Sequence, residues 1–169
     1  MVPVRVFFIS AAWFLLVHQT FAQHNNAPCL PSCWNNGYNI FVRRHIRSDI
    51  PNSLDQNVWD DYIKSKNDCD RHTQSFLQAD DLRRVIAVCT PRGGVIYRRN
   101  LCISRQSFTF VTVRIDTSTC SIRSVQEETK HLILACDKLN KQCLPVHFEG
   151  NPDNLRPNNN AKACQAPKT

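Results

Sequence analysis

Two histidines and one polar octapeptide hold the side chains of this chain that best suit acid and base chemistry. His45 follows Arg43 and Arg44 in a basic segment, whereas His147 lies in the apolar stretch LPVHF. An ordinary imidazole has a pKa of about 6.5, so a pair can supply a neutral base and a charged acid near neutral pH. The octapeptide CDRHTQSF, residues 69–76, is compatible on its own with a metal site, part of an active site or a polar turn.

The N-terminal 22 residues have the pattern of a secretory signal peptide. Arg5 precedes an apolar run, FFISAAWFLLV, and small residues follow before Gln23. This run is shorter than the roughly 20 residues that a membrane-spanning helix needs. We therefore expect cleavage before Gln23, a secreted, extracellular protein, and no stable insertion into a membrane.

Charge and cysteine content limit the partners and the compartment. The chain has a net charge of +7 and nine cysteines, all beyond the leader. A basic secreted protein is attracted to RNA, to anionic glycans or to bacterial membranes, although the charge can also serve only to keep it dispersed. In an oxidising compartment the cysteines should form disulfides rather than a zinc site, with one left over because the count is odd. No metal or cofactor is expected.

Helical patterns dominate the first half of the chain and strand patterns the second. Phe41 and His45 are four residues apart, on one face of a short helix. A Ser53 to Gln56 capping box is followed by Val58, Trp59, Tyr62 and Ile63 at helical spacing, and ADDLRRVIAVC, residues 79–89, forms a third helix. A PRGG turn at 91–94 then precedes three strand patterns, at 108–115, 131–136 and 144–148.

This order predicts an α+β domain, residues 40–150. An irregular, Asn- and Pro-rich arm, residues 23–39, precedes it, and a loosely ordered tail, residues 151–169, follows.

Six segments, taken in order, resemble the pancreatic-type ribonuclease (RNase A) superfamily. They are FVRRH (41–45), CDRHTQSF (69–76), VIAVC (85–89), NLCISRQSF (100–108), HLILAC (131–136) and CLPVHFEG (143–150). The resemblance implies three short helices packed on a bent antiparallel sheet and linked by disulfides. It also implies a monomeric endoribonuclease that needs no metal.

The resemblance assigns roles to four residues. His45 matches the base that takes the ribose 2′-OH proton, and His147 matches the acid that protonates the leaving 5′ oxygen. Phe148 matches an aromatic that shapes the base pocket. Ser75 stands where the family has a threonine that binds a pyrimidine edge, and its hydroxyl can donate and accept in the same way.

The family's disulfides are only partly matched. Cys69 with Cys120 and Cys89 with Cys136 match two core bonds, while the partners of a third are absent, with Trp59 and Val113 or their neighbours in their place. Of the remaining cysteines, the first hypothesis pairs Cys29 with Cys33. Cys143 would then bond either Cys102 or Cys164.

The family's transition-state lysine is missing, because CDRHTQSF is one residue longer and contains none. Counting from Cys69 puts Asp70 in its place, whereas counting back from Phe76 puts Arg71 there; we favour Arg71, since Ser75 then keeps its register. Arg44 replaces a phosphate-binding glutamine, and it is equally compatible with a phosphate contact and with a solvated helix face. These departures predict reduced activity.

An alternative function keeps the fold and the charge without useful catalysis. Such a protein would act in host defence, or in an angiogenin-like way, by binding polyanions, membranes or a receptor. Its contacts would come from three arginine clusters: Arg43, Arg44 and Arg47; Arg83 and Arg84; and Arg98 and Arg99.

Overall fold

The computed structural model describes residues 25–32 and 36–167. The signal-peptide prediction and Cys33 lie outside these ranges. Within them the helices are α1 (Gly37–His45), α2 (Gln56–Lys66) and α3 (Leu82–Val88), the last preceded by a 3₁₀ turn, Ala79–Asp81. The strands are β1 (Ile46–Arg47), β2 (Thr73–Gln78), β3 (Gly94–Arg98), β4 (Leu101–Asp116), β5 (Ser121–Leu139) and β6 (Gln142–Phe148).

All six strands form one sheet, and the α+β prediction is confirmed. The order is β1-β2-β4-β5-β6, with β3 pairing the first half of β4 and β2 its second half. The sheet is mixed rather than purely antiparallel, because the short β1 runs parallel to β2. This parallel pair ties the end of α1 directly to β2.

Two buried clusters occupy the two ends of the long β4–β5 ribbon. One contains Phe41 and Val85, from α1 and α3, and the other contains Trp59 and Ile63 of α2 with Val113 of β4. Trp59 and Val113 are both fully buried. Apolar side chains therefore fill the place of the disulfide that the family resemblance would require.

The start of α2 differs from the predicted capping box. Asp55, not Ser53, is the N-cap, and its carboxylate accepts from the backbone N–H groups of Asn57 and Val58. Val58 is 44% exposed, so it does not belong to the buried face formed by Trp59, Tyr62 and Ile63. A carboxylate caps a helix start well because it also favours the positive end of the helix dipole.

Four disulfides link the described part of the chain. Cys69–Cys120 and Cys89–Cys136 confirm the two predicted core bonds. The hypotheses for the others were wrong. Cys29 bonds Cys143, which is 114 residues away, and Cys102 bonds Cys164.

Both terminal segments lie against the sheet through backbone hydrogen bonds. In the arm, Cys29 N–H donates to the Cys136 carbonyl and Lys138 N–H to the Leu30 carbonyl, each at 2.8 Å. This alignment brings Cys29 to the β5–β6 hairpin that carries Cys143, away from the neighbouring residues of the arm. Over residues 151–167 the tail forms no helix or strand, but residues 162–164 lie along β3, where Ile96 N–H donates to the Lys162 carbonyl.

Among the helices within the described ranges, none has both the length and the apolar character needed to cross a membrane.

Candidate active site

Helix α1 and strand β2 together fix the position of His45. Phe41, one turn earlier, is buried beneath the same helix face. The parallel pairing of Ile46 with Leu77 holds the helix end beside β2, and His45 Nδ1 lies 2.8 Å from the carbonyl oxygen of Ser75. A carbonyl can only accept, so Nδ1 carries the proton and donates. In the neutral ring Nε2 is then unprotonated, which is the form that a base needs.

Two aromatic rings flank the imidazole. The ring of Phe148, at the end of β6, stacks on the His45 ring with 5.2 Å between their centroids. The ring of Phe41, on α1, also lies 5.2 Å from the imidazole and is tilted against it. Phe110 supports Phe148 edge-on at 5.7 Å. The sequence therefore identified the aromatic beside His147, and the structure places its ring against His45.

The environment of His45 keeps it neutral. Burial lowers the pKa of the His45 imidazole to about 3, and the hydrogen bond to the Ser75 carbonyl opposes this only in part. Positive charges on Arg71, His147 and Arg44, in decreasing order, lower it further. These three groups are among the catalytic and phosphate-binding residues that the sequence predicted.

His147 has a more open setting on β6. It lines a groove of about 420 Å³ with Arg98, Arg99, Asn100, Leu101 and Glu149. Its Nε2 lies 3.2 Å from a carboxylate oxygen of Glu149, which also faces Arg98 at 3.4 Å. Sequence reasoning missed Glu149, which lies two residues after His147 and just beyond the end of β6. In extended backbone this spacing places two side chains on one face.

Arg71 and Asp70 occupy different environments in the loop before β2. The Arg71 side chain is 25% exposed, its Nη2 donates to Gln74 Oε1 at 2.8 Å, and its buried Nε has no hydrogen-bond partner within the described residues. Burial and the nearby Arg44 charge lower the Arg71 pKa. Asp70 is 58% exposed, 3.7 Å from Arg44 and 3.8 Å from Arg71.

The register of this loop follows from β2. Ser75 pairs with Thr112 and Phe76 with Val111 in the sheet, and Phe76 is fully buried. The positive charge of Arg71 lowers the pKa of His45 more than that of His147 or Arg44 does.

Arg44 also borders a second groove, at the C-terminal end of α1. This groove, about 720 Å³, is lined by basic and acidic residues in nearly equal numbers: Arg43, Arg44, Arg47, Lys66, Asp49, Asp68 and Asp70. Arg47 contacts Asp68 at 2.6 Å, and Lys66 contacts Asp49 at 2.5 Å. Of the predicted basic cluster, Arg44 and Arg47 therefore face carboxylates from the segment that follows α2.

A chain of polar contacts leads away from Ser75. Its Oγ lies 3.2 Å from Thr112 Oγ1, which donates to Glu128 at 2.6 Å, and Lys130 holds the same carboxylate at 2.7 Å. Sequence reasoning did not identify Thr112 or Glu128. They reach Ser75 through the pairing of β2, β4 and β5, which no local pattern specifies.

Cysteine sulfurs form the one group in the described ranges with the proximity of a metal site. The sulfurs of Cys102, Cys136 and Cys164 lie within 4.8 Å of one another. All three are already committed to disulfides, so none is the thiolate that a metal would require. The cluster is best explained by two neighbouring cross-links.

No family model and no curated protein matches the chain. The site is therefore interpreted from its own geometry. It contains two imidazoles: His45, which is buried and neutral, and His147, which is half-exposed beside the Glu149 carboxylate. Two arginines act on His45, and the residue whose backbone carbonyl bonds His45, Ser75, also carries a hydroxyl.

Proposed function

We propose that the chain is a secreted, pancreatic-type endoribonuclease that cleaves RNA by acid and base catalysis, with activity reduced by the loss of the lysine. The observation that carries the proposal is the state of His45. It is buried, neutral and oriented by the Ser75 carbonyl, with Arg71, Arg44 and His147 acting on it. A base next to cations is suited to a reaction at a phosphodiester, where negative charge develops.

In this mechanism His45 Nε2 takes the proton of the ribose 2′-OH. The 2′ oxygen then attacks phosphorus in line, and the bond from phosphorus to the 5′ oxygen breaks. Protonated His147 gives its proton to that oxygen, with Glu149 orienting the ring. The products are a 2′,3′-cyclic phosphate and a free 5′-hydroxyl. In the transition state, the Arg71 cation stabilises the extra negative charge on the phosphate.

The same site supports cleavage after pyrimidines. The Ser75 hydroxyl lies beside the His45 contact and is held by Thr112, while the ring of Phe148 stacks on the imidazole. A base seated against Phe148 would face a hydroxyl that can donate to or accept from a pyrimidine edge. Purines are larger and present a different edge to that hydroxyl.

The test is cleavage of a pyrimidine-rich RNA by the wild type, His45→Ala and His147→Ala, with His131→Ala as the matched histidine control. His131 lies on β5, where its Nδ1 donates to the Ser104 carbonyl. We expect each site variant to lose about 100- to 10,000-fold in kcat/KM, with the control unchanged. Equal trace cleavage by all four proteins would refute the proposal.

Secretion is part of the same proposal, and the four disulfides support it, because such bonds persist in oxidising compartments. The alternative of a non-catalytic cationic protein is supported less well. Arg44, Arg47, Arg84 and Arg98, four members of the arginine clusters that it requires, contact carboxylates. Paired arginines attract a polyanion less strongly than unpaired ones.

A further inference from the structure

One carboxylate lies between the two arginines that act on His45. The Asp70 side chain is 3.7 Å from Arg44 through one oxygen and 3.8 Å from Arg71 through the other. Asp70 thus contacts both cations at once. Its negative charge therefore offsets part of the positive charge that these two guanidinium groups present to an anion.

The backbone keeps the three side chains close to the imidazole. Arg44 precedes His45 on α1, and the loop that carries Asp70 and Arg71 leads into β2, where Ser75 bonds His45. Both arginines lower the pKa of His45, so both lie within electrostatic reach of the ring. The carboxylate therefore lies next to the two arginines whose charges act on the imidazole.

Arg71 has unused binding capacity. Its Nε is buried and has no hydrogen-bond partner within the described ranges, while Asp70 stays beyond hydrogen-bonding distance of it. A buried donor without an acceptor is costly, so a shift of the side chain that brings this donor to a phosphate oxygen would be favourable. Asp70 therefore lowers the attraction of this arginine for anions without making the bond that a ligand could make.

We propose that Asp70 is an internal competitor of the RNA phosphate, holding Arg44 and Arg71 in a partly neutralised state that limits cleavage. This inference rests on the proposed ribonuclease function and adds a negative regulator to that site. The competition is weak because the Asp70 side chain is more than half exposed and its contacts with the two arginines are long. Exposed ion pairs of this kind are readily displaced, so the inhibition is partial.

The test compares Asp70→Asn with Asp80→Asn. Asp80 is an exposed acid in the 3₁₀ turn and has no ion pair within the described part of the chain, so both variants gain the same charge. We expect Asp70→Asn to raise kcat/KM on a pyrimidine-rich RNA by about 3- to 5-fold, and Asp80→Asn to change it by less than about twofold.

A binding measurement separates this inference from the ribonuclease proposal. Inorganic phosphate is titrated against each protein while the histidine ring signals are followed by NMR, and thermal unfolding checks that both variants fold. Asp70→Asn should bind phosphate several-fold more tightly than Asp80→Asn. Tighter binding with no cleavage by any variant would sustain the competitor role and refute the ribonuclease.

Two results would overturn the competitor role. Equal gains in both variants would mean that only net charge matters. A loss of phosphate affinity in Asp70→Asn would mean that the carboxylate orients the arginines and does not compete. If only net charge matters, added salt should weaken phosphate binding equally in the two variants. If Asp70 competes locally, added salt should reduce the gain in affinity of Asp70→Asn more than that of Asp80→Asn.

Discussion

The two histidines of the site lie in contrasting surroundings. His45 is 7% exposed and is held by a helix, a strand carbonyl and two aromatic rings. The His147 side chain is 52% exposed and faces a groove lined by arginines and Glu149. Packing determines the state of the first ring, whereas charged neighbours at the surface surround the second.

This difference suits two different tasks. A base must be neutral before the reaction, and burial keeps His45 in this form because it destabilises the charged imidazolium. The same effect makes the ring a weaker base, which agrees with the reduced activity that we propose. An acid must regain its proton from water after each turnover, which requires exposure. Changes near His45 should consequently alter stability as well as activity, and changes near His147 should alter activity alone.

Apart from the two histidines, the largest effect is expected at Arg71. Arg71→Ala removes the cation that acts most strongly on His45, and loss of one such electrostatic donor lowers kcat by about 100- to 1,000-fold. Arg71→Lys should recover part of the rate, because it restores the charge. Steady-state cleavage of a dinucleotide measures both variants, with Arg123→Ala at the far end of β5 as the control. Equal rates for Arg71→Ala and the wild type would remove Arg71 from the mechanism.

His45 should make the stability of the fold depend on pH. Its pKa is about 6.5 when unfolded and about 3 when folded, so the unfolded chain binds more protons between these values. Stability is present in full above about 6.5 and is lost as the pH falls, by about 2 kcal/mol between pH 7 and pH 5. Urea unfolding at both pH values measures the loss.

The matched variants sharpen this second prediction. His45→Gln can still donate to Ser75 but does not titrate, so it should lack this component of the pH dependence. His147→Gln should retain it. Identical pH dependence in the wild type and His45→Gln would contradict the assignment of a buried, neutral ring.

A smaller effect is expected at Glu149. An exposed ion pair contributes up to about 1 kcal/mol, so Glu149→Gln should lower kcat by no more than about fivefold. The free energy of unfolding should be unchanged, in contrast to substitutions around His45. Stopped-time cleavage assays and urea titration on the same preparation give both quantities. A clear loss of stability would show that Glu149 contributes to the folded structure as well as to activity, and would contradict the contrast with His45.

The smallest effect is expected at Thr112. Thr112→Val keeps the shape of the side chain and removes the hydroxyl between Ser75 and Glu128. The Ser75 hydroxyl then turns more freely, and the preference for pyrimidine over purine substrates should fall by about threefold. Parallel assays on a cytidine-, a uridine- and an adenosine-containing dinucleotide report the ratio. An unchanged ratio would mean that the contact does not orient Ser75.

Local patterns in the sequence predicted the parts of the fold that depend on local interactions. The spacing of Phe41 and His45 identified a buried helix face, HLILAC identified a buried part of β5, and LPVHF identified the last strand. Trp59 and Val113, which stand at or near the positions of the missing disulfide, are both fully buried. For the helix and the strands, the signal and the structure involve the same few neighbouring residues.

Features that depend on tertiary pairing could not be predicted. The short distance from Cys29 to Cys33 suggested a local bond, but backbone pairing of the arm with β5 brings Cys29 to Cys143 instead. Strand β2 was not recognised because its segment is polar, although pairing with β4 buries it. Glu128 likewise reaches Thr112 only across two aligned strands.

The segment at 162–164 has a consequence for how molecules of this protein meet one another. It lies along the outer side of β3, accepting from Ile96 and donating from Cys164 to Gly94, and Cys102–Cys164 fastens it there. An open strand edge is a template for association between chains. Removing the last few residues would uncover that edge and leave Cys102 with a reactive sulfur, so a shortened chain would gain two routes to dimers and larger aggregates.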